Sequence, residues 1–288
     1  MALTAASCRD LDRNFSLATT HIVKWMQAAR MDMPWLGPGY RSLNQLEPAM
    51  ERRLLVGSQM VKTLRPGILA EAVDEEVTTL CEVGSIGNTS IEFRYRILFG
   101  EREVATGCSL MICVGGTPGN LKPSPVPDDI RGLAAEGGGE DKTFMQAALK
   151  ECPAEAPDDA YTLPLMIRHS DEDLNKHANH SAYARFFEDA KEILMIDEAA
   201  PAALRSIAER YLDSIIIAYQ AEARALDVCE IKVSTSSDNA LDLWIYRTET
   251  NSNGDEPALV TRGRLYTGGE VVTADHSELL RNQGKAKM

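Results

Sequence analysis

The stretch RHSDEDLNKHANHSAY, residues 168–183, concentrates side chains that can do acid–base chemistry. It holds three of the chain's five histidines, His169, His177 and His180, beside Asp171, Asp173, Asn175 and Asn179. A carboxylate and an imidazole within hydrogen-bonding reach of a substrate can move a proton to and from the reacting group. Asp173, Asn175 and His177 alternate, so on an extended approach to a helix their side chains face one way. Two other readings use the same residues. His177 and His180 stand at i, i+3 among carboxylates, as metal ligands do, but no CxxC or HExxH accompanies them and no metal is assigned. Asp and Asn ahead of a helix are also ordinary N-caps. In that reading Asn179 or His180 closes the start of the helix, and Arg168 pairs with Asp171 to fix the turn.

The elements that must position these residues are written twice. RDLDRNFSLATTHIVKWMQAAR, from Arg9, and SDEDLNKHANHSAYARFFEDAK, from Ser170, superpose at a shift of 161 positions, which is the offset from Asp10 to Asp171. Asp12 then falls on Asp173 and Asn14 on Asn175. Ile22, Trp25, Met26 and Ala29 fall on Tyr183, Phe186, Phe187 and Ala190. Each set has i, i+3, i+4, i+7 spacing, the buried stripe of one helix. Polar and apolar registers agreeing together point to an internal duplication. Each helix is followed by four strand-like runs: VGSQMVKTL, AEAVDEEVTTLCEVG, TSIEFRYRILFG and EVATGCSLMICVG, then DSIIIAYQAEARA, VCEIKVSTSS, ALDLWIYRTE and ALVTRGRLYTG. Their connections are too short for crossover helices, so an antiparallel meander is expected in each half. Residues 117–158, rich in Gly and Pro with an acidic run, read as a linker holding one short helix around KTFMQAALKEC. The expected division is an N-terminal domain over 1–116, this linker over 117–158, a C-terminal domain over 159–275 and a flexible tail over 276–288.

The chain of 288 residues carries a net charge of −13. That balance disfavours nucleic acid as a partner. No apolar run reaches the roughly 18 residues of a membrane span, and the N-terminus lacks a signal-peptide pattern. The six cysteines are scattered, as expected for reduced core cysteines in a cytoplasm-like compartment, with an organelle open if a targeting segment has been removed.

Arg168, Asp171, Asp173, Asn175, His177, Asn179 and Tyr183 match R-x-x-D-x-D-x-N-x-H-x-N-x-x-x-Y, a pattern that resembles the acyl-acyl-carrier-protein thioesterases. Bacterial acyl-CoA thioesterases share a looser D-x-D. Downstream, YQAEARALD resembles the family segment in which a Tyr is followed by a catalytic Glu and then a Cys. Tyr219 and Glu222 match, but Ala223 stands in the Cys position, and Cys229 lies too far along to replace it. The resemblance implies an α+β tandem (double) hotdog fold, each half a long helix wrapped by a curved antiparallel sheet. It implies hydrolysis of fatty-acyl thioesters of acyl carrier protein or CoA, with no cofactor. It implies Asp173 as general base or nucleophile, Asn175 orienting the water or carbonyl, His177 transferring protons, and Glu222 holding His177 or the water from a neighbouring strand. Asn179, Tyr183, Asp12 and Asn14 become substrate-binding candidates. The first half has Ser16 where His177 would stand and Arg65 near the place of Glu222, so its site reads as degenerate, a builder of the acyl pocket and of the pseudo-dimer interface. A monomeric pseudo-dimer or a homodimer is expected.

Two competing readings stay open on the sequence. Hotdog hydratases and dehydratases of enoyl or hydroxyacyl thioesters resemble D-x-N-P-x-H, but His177 lies four residues after Asp173, and Lys176 stands near the expected Pro. A non-catalytic acyl-binding hotdog is the other. An acidic chain that docks an acidic carrier or a phosphorylated thiol needs a local basic patch, for which Arg185, Lys191, Arg205 and Arg210 are candidates.

Overall fold

A computed structural model describes residues 2–5, 19–31, 53–64, 76–117, 120–131, 140–173, 176–249 and 258–271. The first half runs β1 (Ala2–Ala5), α1 (Thr19–Met31), β2 (Arg53–Thr63), β3 (Glu76–Ile86), β4 (Ser90–Phe99) and β5 (Arg102–Thr117). The middle segment carries β6 (Asn120–Pro123), α2 (Asp128–Arg131) and α3 (Glu140–Glu151). The second half runs β7 (Tyr161–Met166), α4 (His180–Ile196), α5 (Ala202–Ala208), β8 (Arg210–Tyr219), β9 (Val228–Ser237), β10 (Ala240–Glu249) and β11 (Ala258–Val271). The repeat is exact at the helices: α1 begins at Thr19 and α4 at His180, the shift of 161 read from the sequence.

All strands join one antiparallel sheet in the order β1-β3-β4-β5-β2-β8-β11-β10-β9-β7, with β6 against β5. The order is the same read from either end once the second half is matched to the first, so a pseudo-twofold lies between β2 and β8. Those strands pair from Ser58↔Ala218 to Lys62↔Ser214 and fuse the two half-sheets. The simple meander expected from the sequence holds only for β3, β4 and β5 and for β9, β10 and β11. β2 leaves β3 and pairs with β5 and β8. The reason is burial on both faces: Ser58–Val61 and Ser214–Ile217 are continuous buried runs, which belong in the middle of a covered sheet.

One face of the sheet receives α1 and α4, packed side by side, with the Thr19 N–H donating to Glu188 Oε1 (2.5 Å). Ile22, Met26, Ala29, Tyr183, Phe186, Phe187 and Ala190 are buried, and Trp25 is partly so, as the two stripes require. The duplication extends to packing. A Cβ on Gly107 in β5 would meet Met26 Sδ at 2.5 Å, and one on Gly263 in β11 would meet Phe187 Cε2 at 2.5 Å and collide with the Ile216 carbonyl. In both halves a strand glycine lets the helix lie close. Met26 can swing its flexible end aside, whereas the backbone at Ile216 cannot move. Gly263→Ala should therefore lower stability by about 1–3 kcal/mol, and Gly107→Ala by less. Urea midpoints check this, and equal midpoints for both variants and wild type would contradict it.

The opposite face of the second half is covered by the segment read as a linker. Met145 and Ala148 of α3 pack on Met60, Cys108 and Ile216. Trp244 Nε1–H donates to the Pro153 carbonyl (3.0 Å), and Arg264 in β11 binds Asp242 in β10 at 2.6 Å and Glu151 in α3 at 2.6 Å. The described parts of 117–158 are thus a folded cover.

Candidate active site

Residues 172–173 and 176–178 close a tight turn against the start of α4. Glu172 and Ala178 bridge antiparallel, the Asp173 N–H donates to the His177 carbonyl (3.0 Å), and the Lys176 N–H donates to the Asp173 carbonyl (3.1 Å). Lys176 sits in the left-handed region at φ 62°. The expected extended approach is therefore replaced by a turn, and Asp173 and His177 meet across it. Asp173 Oδ1 lies 3.7 Å from His177 Nδ1. Asp171 anchors the base of the turn. Its Oδ2 accepts from the Arg168 N–H (2.8 Å), its carbonyl accepts from the Asn179 N–H (2.8 Å), and its Oδ1 pairs with Arg185 (2.5 Å). The ion pair expected between Arg168 and Asp171 is thus made by Arg185, one helical turn into α4; Arg168 contributes its backbone.

The second wall is the loop after β8. The strand ends at Tyr219, so Glu222 is held by this loop and not by a strand. The Ala223 carbonyl accepts from the Ala178 N–H (2.7 Å), the Ala225 N–H donates to Glu172 Oε1 (2.7 Å), and Arg247 donates to the Glu222 carbonyl (3.0 Å). These bonds clasp loop to turn and place Glu222 Oε1 3.9 Å from His177 Nε2. Leu226, at φ 72°, is the other described non-glycine residue in the left-handed region. Both such residues lie in the two segments that build the site, where backbone strain tends to collect. His177 thus stands between two carboxylates, one at each ring nitrogen. Both separations exceed a hydrogen bond.

The remaining candidates sort by contact. Asn179 is the N-cap of α4, its Oδ1 accepting from the Ser181 N–H (2.9 Å). Tyr183 is buried edge-on to Tyr219 and Phe186, and burial raises its hydroxyl pKa, with the Ala223 backbone beside it. Asn175, Asp12 and Asn14, with Ser16 and Arg65, lie outside the described residues. Ala223, in the expected Cys position, is fully buried, and burial pushes the Cys229 thiol up to about 12, so neither offers a nucleophile. Of the expected basic patch, Arg185 is paired with Asp171 and Lys191 is buried. The exposed cations beside the turn are Arg168, Lys176 and Arg224. Among the described residues no cluster of three or more His, Cys, Asp and Glu is arranged to hold a metal.

His180 opens α4 immediately behind the turn. Burial, then Arg30 and His177, lower its pKa from 6.5 to about 3. The folded protein therefore keeps it neutral while the unfolded chain takes up a proton below about 6.5, so its contribution to stability falls as pH drops through that window toward about 3. His180→Asn should flatten the loss of melting temperature between about pH 7 and about pH 5. Parallel pH profiles for the two proteins would contradict the burial.

Sequence reasoning missed a buried polar chain that leads away from His180. The Tyr219 hydroxyl donates to the His180 carbonyl (3.1 Å) or to Gln59 Oε1 (2.9 Å), and Gln59 Nε2 donates to Ser109 Oγ (3.0 Å). Ser109 hydrogen-bonds Tyr95, whose hydroxyl accepts from Arg30 (3.2 Å). These residues sit in strand and helix positions that read as core, and no local motif marks them.

Two copies of one helix laid on a half-sheet, fused through their central strands, define the tandem hotdog fold. Solved structures share it over nearly the whole chain. An acyl-ACP thioesterase from Bacteroides thetaiotaomicron matches with TM-score 0.64 at 15% identity, covering 93% of this chain and 96% of that one. A 12:0-ACP thioesterase from Umbellularia californica matches with TM-score 0.67 at 16% identity, covering 93% and 96%. No protein-family model matches the chain, and no curated protein sequence does. At such identities the likeness establishes the fold, and the chemistry has to be argued from the site.

Proposed function

We propose that the protein is a hydrolase of fatty-acyl thioesters carried on acyl carrier protein or CoA, releasing free acid and thiol. The observation that carries this reading is the placement of His177 between Asp173 (3.7 Å) and Glu222 (3.9 Å), beside the capped N-terminus of α4. Asp173 takes the proton of an attacking water, the C–O bond forms, and the C–S bond breaks. His177 delivers a proton to the departing thiolate, and Glu222 orients the imidazole through Nε2. The helix dipole of α4 favours the negative charge that develops on the carbonyl oxygen. The fold shared with two acyl-ACP thioesterases supports the same reading.

Exposed Arg168, Lys176 and Arg224 around the turn give a phosphorylated thiol or an acidic carrier its counter-charges, next to the exposed apolar Met166, Leu226 and Val228. Both hotdogs lie in one chain, so a monomer suffices for activity. The five cysteines among the described residues are free, which is consistent with a reducing, cytoplasmic or organellar compartment. No described helix is long and apolar enough to cross a membrane. The purified protein should release thiol from acyl-CoA and acyl-carrier substrates without consuming enoyl-CoA. Loss of enoyl absorbance without thiol release would replace this reading with the hydratase, and ligand retention without turnover would replace it with the acyl binder.

A further inference from the structure

Arg30, at the end of α1, is 3% exposed, and its one hydrogen-bond partner among the described residues is the Tyr95 hydroxyl. Its Nε is shut off from solvent and meets no acceptor. The equally buried Arg264 shows what this chain does elsewhere with a sunken guanidinium: Asp242 grips it through both oxygens (2.6 and 3.0 Å) and Glu151 adds a third contact. No described carboxylate does this for Arg30. A guanidinium taken out of water without an anion is costly, and one missing partner is the simplest account of its retention. The neighbouring groups cannot neutralise it, because Tyr95, Ser109, Gln59 and Tyr219 are uncharged and already bonded to one another.

A second buried polar group without a hydrogen-bond partner lies at the start of α4. His180 Nε2 is sealed from solvent with no hydrogen-bond partner, although the ring is edge-on to Tyr219 (6.3 Å) and its carbonyl is bonded. Arg30 and His177 both act electrostatically on this imidazole. His180 opens α4 directly after the turn, its carbonyl accepts from Tyr219, and the hydrogen-bonded path through Gln59, Ser109 and Tyr95 leads from there to Arg30. An acyl chain whose thioester lies at the turn and which enters under α1 brings its own distal groups to Arg30.

We propose that Arg30, with Tyr95 beside it and His180 at the turn end of the same polar path, receives a carboxylate on the acyl chain, so that the preferred substrates are thioesters of dicarboxylic acids. The inference rests on the thioesterase reading for the word substrate and on the buried polar cluster for the site. A carboxylate suits the unpartnered edge of a guanidinium, which offers parallel N–H donors at the spacing of its two oxygens.

The test uses a ladder of free α,ω-dicarboxylates and the monocarboxylates of equal length as probes of melting temperature. One dicarboxylate length should raise the wild-type melting temperature more than its monocarboxylate does, and Arg30→Met should erase the difference. In turnover, the ratio of rates on ω-carboxyacyl- and plain acyl-pantetheine should fall at least about tenfold in Arg30→Met, the effect of losing a charged hydrogen-bond partner. Should Arg30→Met not fold, Arg30→Lys keeps the charge without the paired donors and should lose part of the ratio. Equal protection by monocarboxylates in wild type, or a preference that survives Arg30→Met, overturns the inference. Arg30-dependent protection without thioester cleavage would sink the hydrolase reading and keep the site; cleavage of plain acyl thioesters without dicarboxylate preference would do the reverse.

Discussion

Asp173→Asn and His177→Ala should each lower kcat for thiol release by at least about a hundredfold, the contribution of a positioned acid or base. Such a loss corresponds to about 2.7 kcal/mol of barrier. KM should move much less, because neither side chain is placed to hold the acyl chain. Asp173→Asn keeps the volume and the turn, whose closing hydrogen bonds are made by the backbone of Asp173, Lys176 and His177. The loss would therefore report chemistry and not a collapsed turn. Glu222→Gln should cost less than either. Glu222 is 62% exposed and 3.9 Å from His177, and a solvated pair of that kind is worth little by itself. In the proposed mechanism it orients the ring. Wild-type kcat in both Asp173→Asn and His177→Ala would remove the assignment.

The largest loss of stability should come from a residue far from the chemistry. Asp242 is 1% exposed and bonded through both oxygens to Arg264, which also holds Ser236 and Glu151. Asp242→Ala leaves a guanidinium in the interior with one charged partner, Glu151, that is itself largely exposed. Breaking a buried pair from one side costs about 3–5 kcal/mol. That cost should appear as an earlier urea midpoint, with the activity of the surviving folded fraction unchanged. A midpoint within about 0.5 kcal/mol of wild type, the range of ordinary surface substitutions, would contradict the described network.

Asp173, His177 and Asp242 also mark how far the sequence can be read. Asp173 and His177 were visible because local spacing and a repeat singled them out. The stripes from Ile22 to Ala29 and from Tyr183 to Ala190 were visible because a helix imposes its period on sequence. Asp242 was not visible. ALDLWIYRTE alternates, which declares a strand with two faces, but nothing local says that α3 folds back over the polar one. The Gly- and Pro-rich composition around α3 reads as a linker because its partners, Met60, Cys108 and Ile216, are distant in sequence. The pairing of β2 with β8 escaped for the same reason. Arg185 displaced Arg168 as the partner of Asp171 because the turn folds back on α4, which spacing within an extended segment does not foresee. Arg30 and the polar chain to Tyr219 exist only once two halves of the chain are brought together.

We propose that one working site, built by 172–173, 176–178 and 220–227, acts as a unit. The most direct measurement is kcat for Asp173→Asn, His177→Ala and the double variant on a single acyl thioester. Groups that serve one proton path lose their effect together, so the double variant should fall to within about threefold of the slower single variant. Losses that multiply, or a double variant as fast as wild type, would contradict it.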